Sequence, residues 1–189
     1  ADINPNAIDG SSIWMMSITE VLSSIFDEVW VILKTEPVDQ SLVQSVQAIP
    51  NVILDFDGSK PSDYERTVAE AADRVEQIHA DLKLDVVVVR GLEACFEFCR
   101  RSSIAPVLWS YVTDLPYPTA KLSRTNRGRL ENIASNSVGL FSQTEASRAY
   151  YESLAPSAAG KTYLLPPMLP DYAFASERNT EDRGDLTEI

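Results

Sequence analysis

Residues 85–93, which read DVVVVRGLE, decide the fold of this chain. The four consecutive valines are too few for a buried helix and offer no alternating polar face, so they predict a strand covered on both sides. Such a strand is typical of the centre of a parallel sheet. Arg90, Gly91 and Glu93 follow at the point where this strand gives way to a helix. Because ligands collect at the carboxyl ends of strands in open α/β sheets, these residues are binding candidates.

Similar apolar runs alternate with helical segments along the rest of the chain. The periodicity predicts further strands at 29–33, 52–54, 107–112, 138–141 and 163–165. A repeated β-α order predicts an α/β fold, specifically a Rossmann-like doubly wound parallel sheet with helices on both faces.

Two helix starts are predicted from capping patterns. Ser62 and Glu65 stand three residues apart at the head of a helix that extends to residue 82. Ser142 and Glu145 have the same spacing directly after the strand at 138–141. Because the first turn of a helix has free N–H groups and a favourable dipole, a helix start at a strand end can bind an anion.

The segment D-G-S-S, made of Asp9, Gly10, Ser11 and Ser12, predicts a short loop that feeds the first helix, with Asp9 or a serine as its cap. Its N–H groups and hydroxyls are suited to a phosphate or a sugar hydroxyl. An ordinary helix start is the commoner role for such a sequence, and that alternative stays open.

Two further polar residues close the strand PVLWSYVTD. Tyr111 and Asp114 face the same edge as Arg90 if the sheet is parallel. Asp114 is equally well explained as a turn residue ahead of a proline. Arg90 and Glu93 are equally able to form a local ion pair at the helix start.

The charge of the chain excludes some classes of partner. A net charge of −12 argues against nucleic acid, because phosphate backbones are bound by lysine and arginine. One basic stretch stands out, formed by Lys121, Arg124, Arg127 and Arg129. A solvated helix is the preferred interpretation of that stretch, and an anionic acceptor or a peripheral contact with a membrane surface is the alternative.

The thiols and the histidine are not candidates for chemistry. Cys95 and Cys99 lie one turn apart on the apolar face of a predicted helix, where a disulfide closes almost no loop. They predict buried thiols in a reducing cytoplasm. The single histidine, His79, has no convergent partners on its helix, and no metal site is expected. No apolar run approaches the roughly 20 residues that a membrane span requires.

The two ends of the chain predict a larger protein. A doubly wound sheet begins with a strand ahead of its first loop and helix, so residues 1–3 are interpreted as the tail of a strand that starts upstream. Prolines halt regular structure near residue 170, and the following residues are polar and charged. We therefore expect one domain over 1–171 and a linker over 172–189.

The order of these segments resembles the N-terminal domain of GT-B glycosyltransferases, and most of all the group 1 family that uses nucleotide-sugar donors. The similar segments are D-G-S-S-I-W, V-V-V-R-G-L-E, L-W-S-Y-V-T-D-L-P, L-F-S-Q-T-E-A-S-R and L-L-P-P-M, which together span about residues 2–171. Each motif is loose, and their order carries the resemblance.

The resemblance implies a half-enzyme with an acceptor side. In that family two Rossmann-like domains face across a cleft, and the C-terminal domain of the same chain holds the nucleotide-sugar. The loop at Gly10 is then expected near the donor phosphate or the acceptor. The residues implied to line the acceptor side are Arg90, Glu93, Asp114, Thr144 and Glu145, to which position alone adds Gly91 and Tyr111. The family often has a histidine where this chain has Arg90, so the catalytic residues stay unassigned.

The function expected on this basis is transfer of a sugar from a nucleotide-sugar to an unknown acceptor, in the cytoplasm or at the inner membrane surface, without a metal cofactor. Two alternatives stay open. One is a non-catalytic α/β module that binds a partner, because fold does not fix function. The other is a nucleotide-sugar epimerase with the same two-domain architecture.

Overall fold

The structure is a computed structural model that describes residues 10–37, 43–61, 64–113, 115 and 122–166. Its strands are β1 (Val29–Ile32), β2 (Val52–Asp55), β3 (Val87–Arg90), β4 (Leu108–Tyr111), β5 (Gly139–Ser142) and β6 (Thr162–Leu164). Its helices are α1 (Gly10–Ser23), α2 (Gln44–Gln47), α3 (Val68–Leu82), α4 (Leu92–Cys99), α5 (Arg124–Asn136) and α6 (Glu145–Leu154). Short 3-10 turns at Ala105–Val107 and Pro156–Ala158 precede β4 and β6.

The chain divides into two compact units. Within the described residues, the larger comprises Ile32–Glu36 with residues 56–61, 64–113, 115 and 122–166, and the smaller comprises residues 10–31, 37 and 43–55. The predicted upstream strand at 1–3 and the predicted linker at 172–189 lie outside the described residues.

The larger unit contains a four-stranded parallel sheet in the order β3-β4-β5-β6. Successive strands lie side by side, each joined to the next by a helix, as expected for β-α units. Strands β1 and β2 pair separately as a two-stranded sheet. These parallel strands flanked by helices confirm the α/β, Rossmann-like fold class and all six predicted strands to within about two residues at each end.

Strand β3 differs from its prediction in one respect. Within the described residues it is the outermost strand on one side of the four-stranded sheet, whereas the valines predicted a central strand. Val87 and Val89 are buried, whereas Val86 and Val88 are only half-buried. The alternation arises because the face that carries Val87 and Val89 packs into the main core.

The core of the larger unit lies between one face of this sheet and a row of helices, in which α3 packs on α4, α4 on α5 and α5 on α6. The fully buried side chains of the core include Ile104, Leu108, Leu130, Ile133 and Leu140. The opposite face of the sheet carries an aromatic group, in which the Trp109 ring stacks on Phe141 at 5.2 Å and meets Tyr163 at 5.4 Å.

Helix α3 begins later than the sequence pattern predicts. Thr67 caps it and forms a reciprocal capping box with Glu70, and the helix starts at Val68. The predicted box of Ser62 and Glu65 is wrong, because Glu65 precedes the helix and pairs with Lys34 at 2.9 Å. Ser62 and Thr67 each stand three positions ahead of a glutamate, and only Thr67 with Glu70 marks the helix start.

The start of α6 also differs from prediction. Thr144, not Ser142, caps the helix by accepting a hydrogen bond from the Ser147 N–H at 3.1 Å. Ser142 still belongs to β5, and its hydroxyl donates to the Thr144 carbonyl at 2.8 Å. The helix therefore begins two residues later than the pattern S-x-x-E indicates.

In the smaller unit the described residues include α1, α2 and β2. Gly10, Ser11 and Ser12 form the first turn of α1 rather than the predicted loop, and Ser12 is buried. The side-chain amide of Asn51 donates to the carbonyls of Ser23 and Phe26, both at 2.8 Å. These bonds fix the end of α1 ahead of β1.

Candidate functional site

The site is built at the carboxyl ends of β3 and β4. Arg90 and Tyr111 are the last residues of the two strands and occupy directly paired positions in the parallel register. Their side chains therefore leave the same face of the sheet at the same edge. This is the edge where open α/β sheets bind ligands, so the register joins two residues that the sequence singled out separately.

Gly91 makes the turn from β3 into α4. Its φ of 94° and ψ of 143° lie in a region that only glycine adopts readily. Its N–H donates to the Tyr111 carbonyl at 2.9 Å, and its carbonyl accepts from the Cys95 N–H at 2.9 Å. Gly91 therefore ties the end of β3 both to β4 and to the first turn of α4, and it fixes where the Arg90 side chain leaves the strand.

Tyr111 is almost fully buried, at 1% exposed. Burial raises the pKa of its phenol above the ordinary value, while the nearby Gln143 side chain and the charge of Arg90 act in the opposite direction. At neutral pH the hydroxyl is therefore protonated. Three side chains from the ends of three neighbouring strands lie close together here. They are Arg90 at the end of β3, Tyr111 at the end of β4 and Gln143 directly after β5.

The start of α6 contributes the remaining groups at this edge. Thr144 is exposed and uses its hydroxyl oxygen as the helix cap. Glu145 is exposed and forms an ion pair with Arg148 at 3.1 Å on the same helix. Both residues lie where the sequence placed them, but each already has a structural role within α6.

A hydrogen bond from α6 holds the end of β4 in position. The hydroxyl of the buried Tyr151 donates to the carbonyl of Val112, the residue that follows Tyr111. A buried hydroxyl bonded to a backbone carbonyl satisfies both groups, so the backbone next to Tyr111 is fixed. The site thus rests on the ends of three strands and on two helices rather than on a free loop.

The other candidates lie elsewhere. Glu93 is exposed in the first turn of α4, where an acidic side chain favours the helix dipole. Gly10, Ser11 and Ser12 belong to the smaller unit, whereas the Arg90 edge belongs to the larger. Asp9 and Asp114 lie outside the described residues.

The arginines of the predicted basic stretch form no part of this edge cluster. Arg124 and Arg127 are exposed in the first half of α5, as expected for a solvated helix. Arg129 lies over the ring of Phe96, 5.4 Å from its centre, and Arg100 lies at 5.7 Å from the same centre. Lys121 lies outside the described residues.

The edge cluster is suited to binding rather than to metal chemistry. The Arg90 guanidinium is a permanent cation with a planar fork of donors, which matches a carboxylate or a phosphate. Gln143 and Thr144 add exposed polar groups that can meet hydroxyls. Across the part of the chain that the structure describes, no group of three or more His, Cys, Asp or Glu side chains is placed to hold a metal ion.

Two residues of this site were missed in the sequence. Gln143 stands between Ser142 and Thr144, directly after a predicted strand, and that position alone was a usable signal. Tyr151 has no such signal, because its hydrogen bond reaches 39 residues back along the chain to Val112. Only the folded arrangement identifies it.

Two further findings concern membrane-spanning helices and similarity to known proteins. Among the described residues no helix has both the length and the apolar character needed to cross a membrane. The sequence matches no family model, and neither a curated protein nor a solved structure matches it significantly.

Proposed function

We propose that this chain is the acceptor-side domain of a glycosyltransferase that uses a nucleotide-sugar donor. The observation that supports the proposal most is the meeting of Arg90, Tyr111 and Gln143 at the carboxyl edge of a parallel sheet. The order of loose motifs that resembles group 1 glycosyltransferases also supports it, because three of those motifs contain Arg90, Tyr111 and Gln143.

In this proposal the domain positions an acceptor and does no covalent chemistry of its own. Arg90 binds an anionic group of the acceptor, such as a carboxylate or a phosphate, through its planar fork. Gln143 and Thr144 meet acceptor hydroxyls, and the protonated Tyr111 lines the floor of the site. Sugar transfer further requires stabilisation of an oxocarbenium-like centre and of the departing diphosphate, which a donor-binding domain of the same polypeptide has to supply.

The test is product analysis on the intact protein that contains this chain. Supplied with a panel of nucleotide-sugars, it should transfer a sugar to an acceptor, whereas the chain of residues 1–189 should transfer none. Sugar transfer by residues 1–189 alone would contradict the division of labour. Absence of transfer by the intact protein from every donor would contradict the transferase itself.

The same analysis separates the proposal from the two alternatives. A nucleotide-sugar epimerase returns a changed nucleotide-sugar and no glycosylated acceptor. A non-catalytic α/β binding module consumes no donor at all. The outcome thus depends on which product forms, not on whether the protein binds a ligand.

A further inference from the structure

The face of the four-stranded sheet that is turned away from the row of helices carries three aromatic side chains. Trp109 lies on β4, Phe141 on β5 and Tyr163 on β6. The parallel register pairs Phe141 with Tyr163, and it pairs Trp109 with Gly139 on β5. Because side chains alternate between the two faces of a strand, Gly139 and Phe141 belong to the same face. We call the three rings together the aromatic platform.

The three rings of the aromatic platform form one continuous surface. The Trp109 ring stacks on Phe141 with ring centres 5.2 Å apart and an angle of 22° between the planes, and it meets the Tyr163 ring at 5.4 Å. Aromatic pairs of this kind contribute stability beyond the burial of their apolar area. The rings therefore hold one another in place before any ligand binds.

Gly139 lets the Trp109 ring rest directly on the backbone of β5. A β-carbon at position 139 would lie 2.6 Å from Cζ3 of Trp109 and 3.1 Å from Cε2 of Tyr163. Both distances are shorter than the roughly 3.5–4.0 Å at which carbon atoms contact favourably. Any side chain at this position would displace the rings, so the glycine fixes how closely the platform lies on the sheet.

The platform is open to solvent at the β6 side and has a polar neighbour at its carboxyl edge. Tyr163 is 48% exposed, whereas Trp109 and Phe141 are half-buried. Gln143 is exposed and lies close to Tyr111, which is the register partner of Phe141. Gln143 therefore borders the platform. An apolar surface beside a few polar groups is the usual composition of a small-molecule site.

The chemistry of the platform favours an uncharged ring that has an apolar face. Aromatic faces are electron-rich and attract C–H bonds, which are slightly positive. A pyranose ring presents several such C–H bonds on one face and hydroxyls around its rim. Those hydroxyls both donate and accept, as does the amide of Gln143. The platform and its border thus match the two kinds of surface that a sugar presents.

Other occupants fit this surface less well. A membrane or a large protein partner covers a contiguous apolar patch of several hundred Å². Here two of the three rings are half-buried, and an exposed amide borders them. A nucleobase is able to stack on aromatic rings, and for that reason it is included in the test as a competitor.

We propose that the aromatic platform binds a pyranose ring of a carbohydrate. The sugar stacks its apolar face on Tyr163 and Trp109, and its hydroxyls bond to the Gln143 side chain and to water. The inference goes beyond the proposed function, because stacking on the platform requires neither a donor nor transfer. If the transferase proposal also holds, the ring bound here belongs to the acceptor, since Gln143 has a role in both.

The test is an NMR titration of the 15N-labelled chain of 189 residues with the methyl glycosides of glucose, mannose, galactose and N-acetylglucosamine. Each is taken to about 50 mM, since weak complexes of this kind have dissociation constants near the millimolar range. At least one sugar should shift the amides of the platform, which are those of Trp109, Gly139, Phe141 and Tyr163. Absence of shifts with all four sugars, or shifts confined to other residues, would overturn the proposal. So would uridine that binds at these amides more tightly than every sugar.

Variants separate stacking on the platform from weak binding elsewhere. Tyr163→Ala should weaken sugar binding about tenfold or more, whereas Tyr163→Phe keeps the ring and should bind as the wild type does. Phe56→Ala is the matched control, because it removes a ring of similar exposure, 38%, from outside the platform and should leave the affinity unchanged. Gln143→Ala should weaken binding about fivefold and stands in if Tyr163→Ala does not fold. Equal weakening by Tyr163→Ala and Phe56→Ala would contradict the proposal.

Because no transfer is measured, this inference and the transferase proposal fail separately. Failure to bind any sugar overturns the carbohydrate site and leaves the transferase proposal standing. Sugar binding by a protein that transfers none supports the carbohydrate site and counts only against the transferase.

Discussion

Arg90 and Tyr111 are register partners at the ends of two adjacent parallel strands, and the charge of one acts on the ionisation of the other. Tyr111 is almost fully buried, whereas Arg90 is half-buried. The sheet thus places a permanent cation beside a buried phenol at the edge where α/β folds bind ligands.

This relationship predicts the effect of removing the charge at position 90. Arg90→Gln should raise the pKa of the Tyr111 phenol further, because the cation favours the phenolate and burial then acts with less opposition. The measurement is a pH titration by NMR with tyrosine labelled at the ring carbon that bears the hydroxyl, with Tyr111→Phe to assign the signal. Arg100→Gln is the control, since Arg100 is exposed on α4 near Phe96. An unchanged or lowered pKa for Tyr111 in Arg90→Gln would show that the two side chains do not interact.

Gly91 should be intolerant of a side chain. Gly91→Ala forces an alanine to a φ of 94°, and we expect the free energy of unfolding to fall by about 1–3 kcal/mol. Gly128→Ala is the matched control, because Gly128 lies within α5 with open space around it and should stabilise the protein by up to about 1 kcal/mol. Urea unfolding of both variants measures the difference. Equal stability of the two alanine variants would argue against a glycine-specific turn after β3.

Glu70 should contribute to stability in a defined pH range. Hydrogen bonds from Thr67 and Tyr64 lower its pKa from 4.5 to about 2. A folded-state pKa below the unfolded one gives stability that is present above about pH 4.5 and is lost as the pH falls toward 2. Glu70→Gln should therefore lose part of the wild-type decline in stability between pH 5 and pH 2, measured by urea unfolding at each pH. If the free energy of unfolding fell equally with pH in the wild type and in Glu70→Gln, protonation of Glu70 would not contribute to the loss of stability.

The two cysteines should be inert in the folded chain. Cys95 is fully buried, and burial raises the pKa of the Cys99 thiol to about 11. Because the thiolate is the reactive form, neither residue should react with iodoacetamide at pH 8 on the timescale that modifies an unfolded control. Mass spectrometry before and after addition of guanidinium counts the modified thiols. Rapid native labelling of both would place the apolar face of α4 in solvent.

Some elements of this structure were predictable from the sequence, and others were not. The strands were predictable because runs such as VVVV and the β-α order are local patterns. The start of α3 was not, because both Ser62 with Glu65 and Thr67 with Glu70 satisfy the same capping pattern and only tertiary contacts select the second. A run of valines also does not show whether a strand has neighbours on both sides. The valines of β3 therefore predicted a central strand, although β3 is outermost among the described strands of its sheet.

The same limit applies to the sites. Arg90, Gly91 and Tyr111 were identifiable because they follow strands, and the parallel register then pairs Arg90 with Tyr111. The support from Tyr151 was not identifiable, since its hydrogen bond joins segments that are distant in sequence. Whether a residue follows a strand can be predicted from the local sequence, whereas contacts between segments that are distant in sequence appear only in the fold.

Acceptor kinetics of Arg90→Lys in the intact protein test directly whether the Arg90 guanidinium binds the acceptor. Lysine keeps the charge but loses the planar fork, so kcat/KM for the acceptor should fall by the equivalent of about 1–3 kcal/mol while the melting temperature stays nearly constant. Arg100→Lys, the matched control, should change neither quantity. A lower melting temperature with unchanged kinetics would make Arg90 a structural residue. Unchanged values of both would remove Arg90 from the site and contradict acceptor binding at this edge.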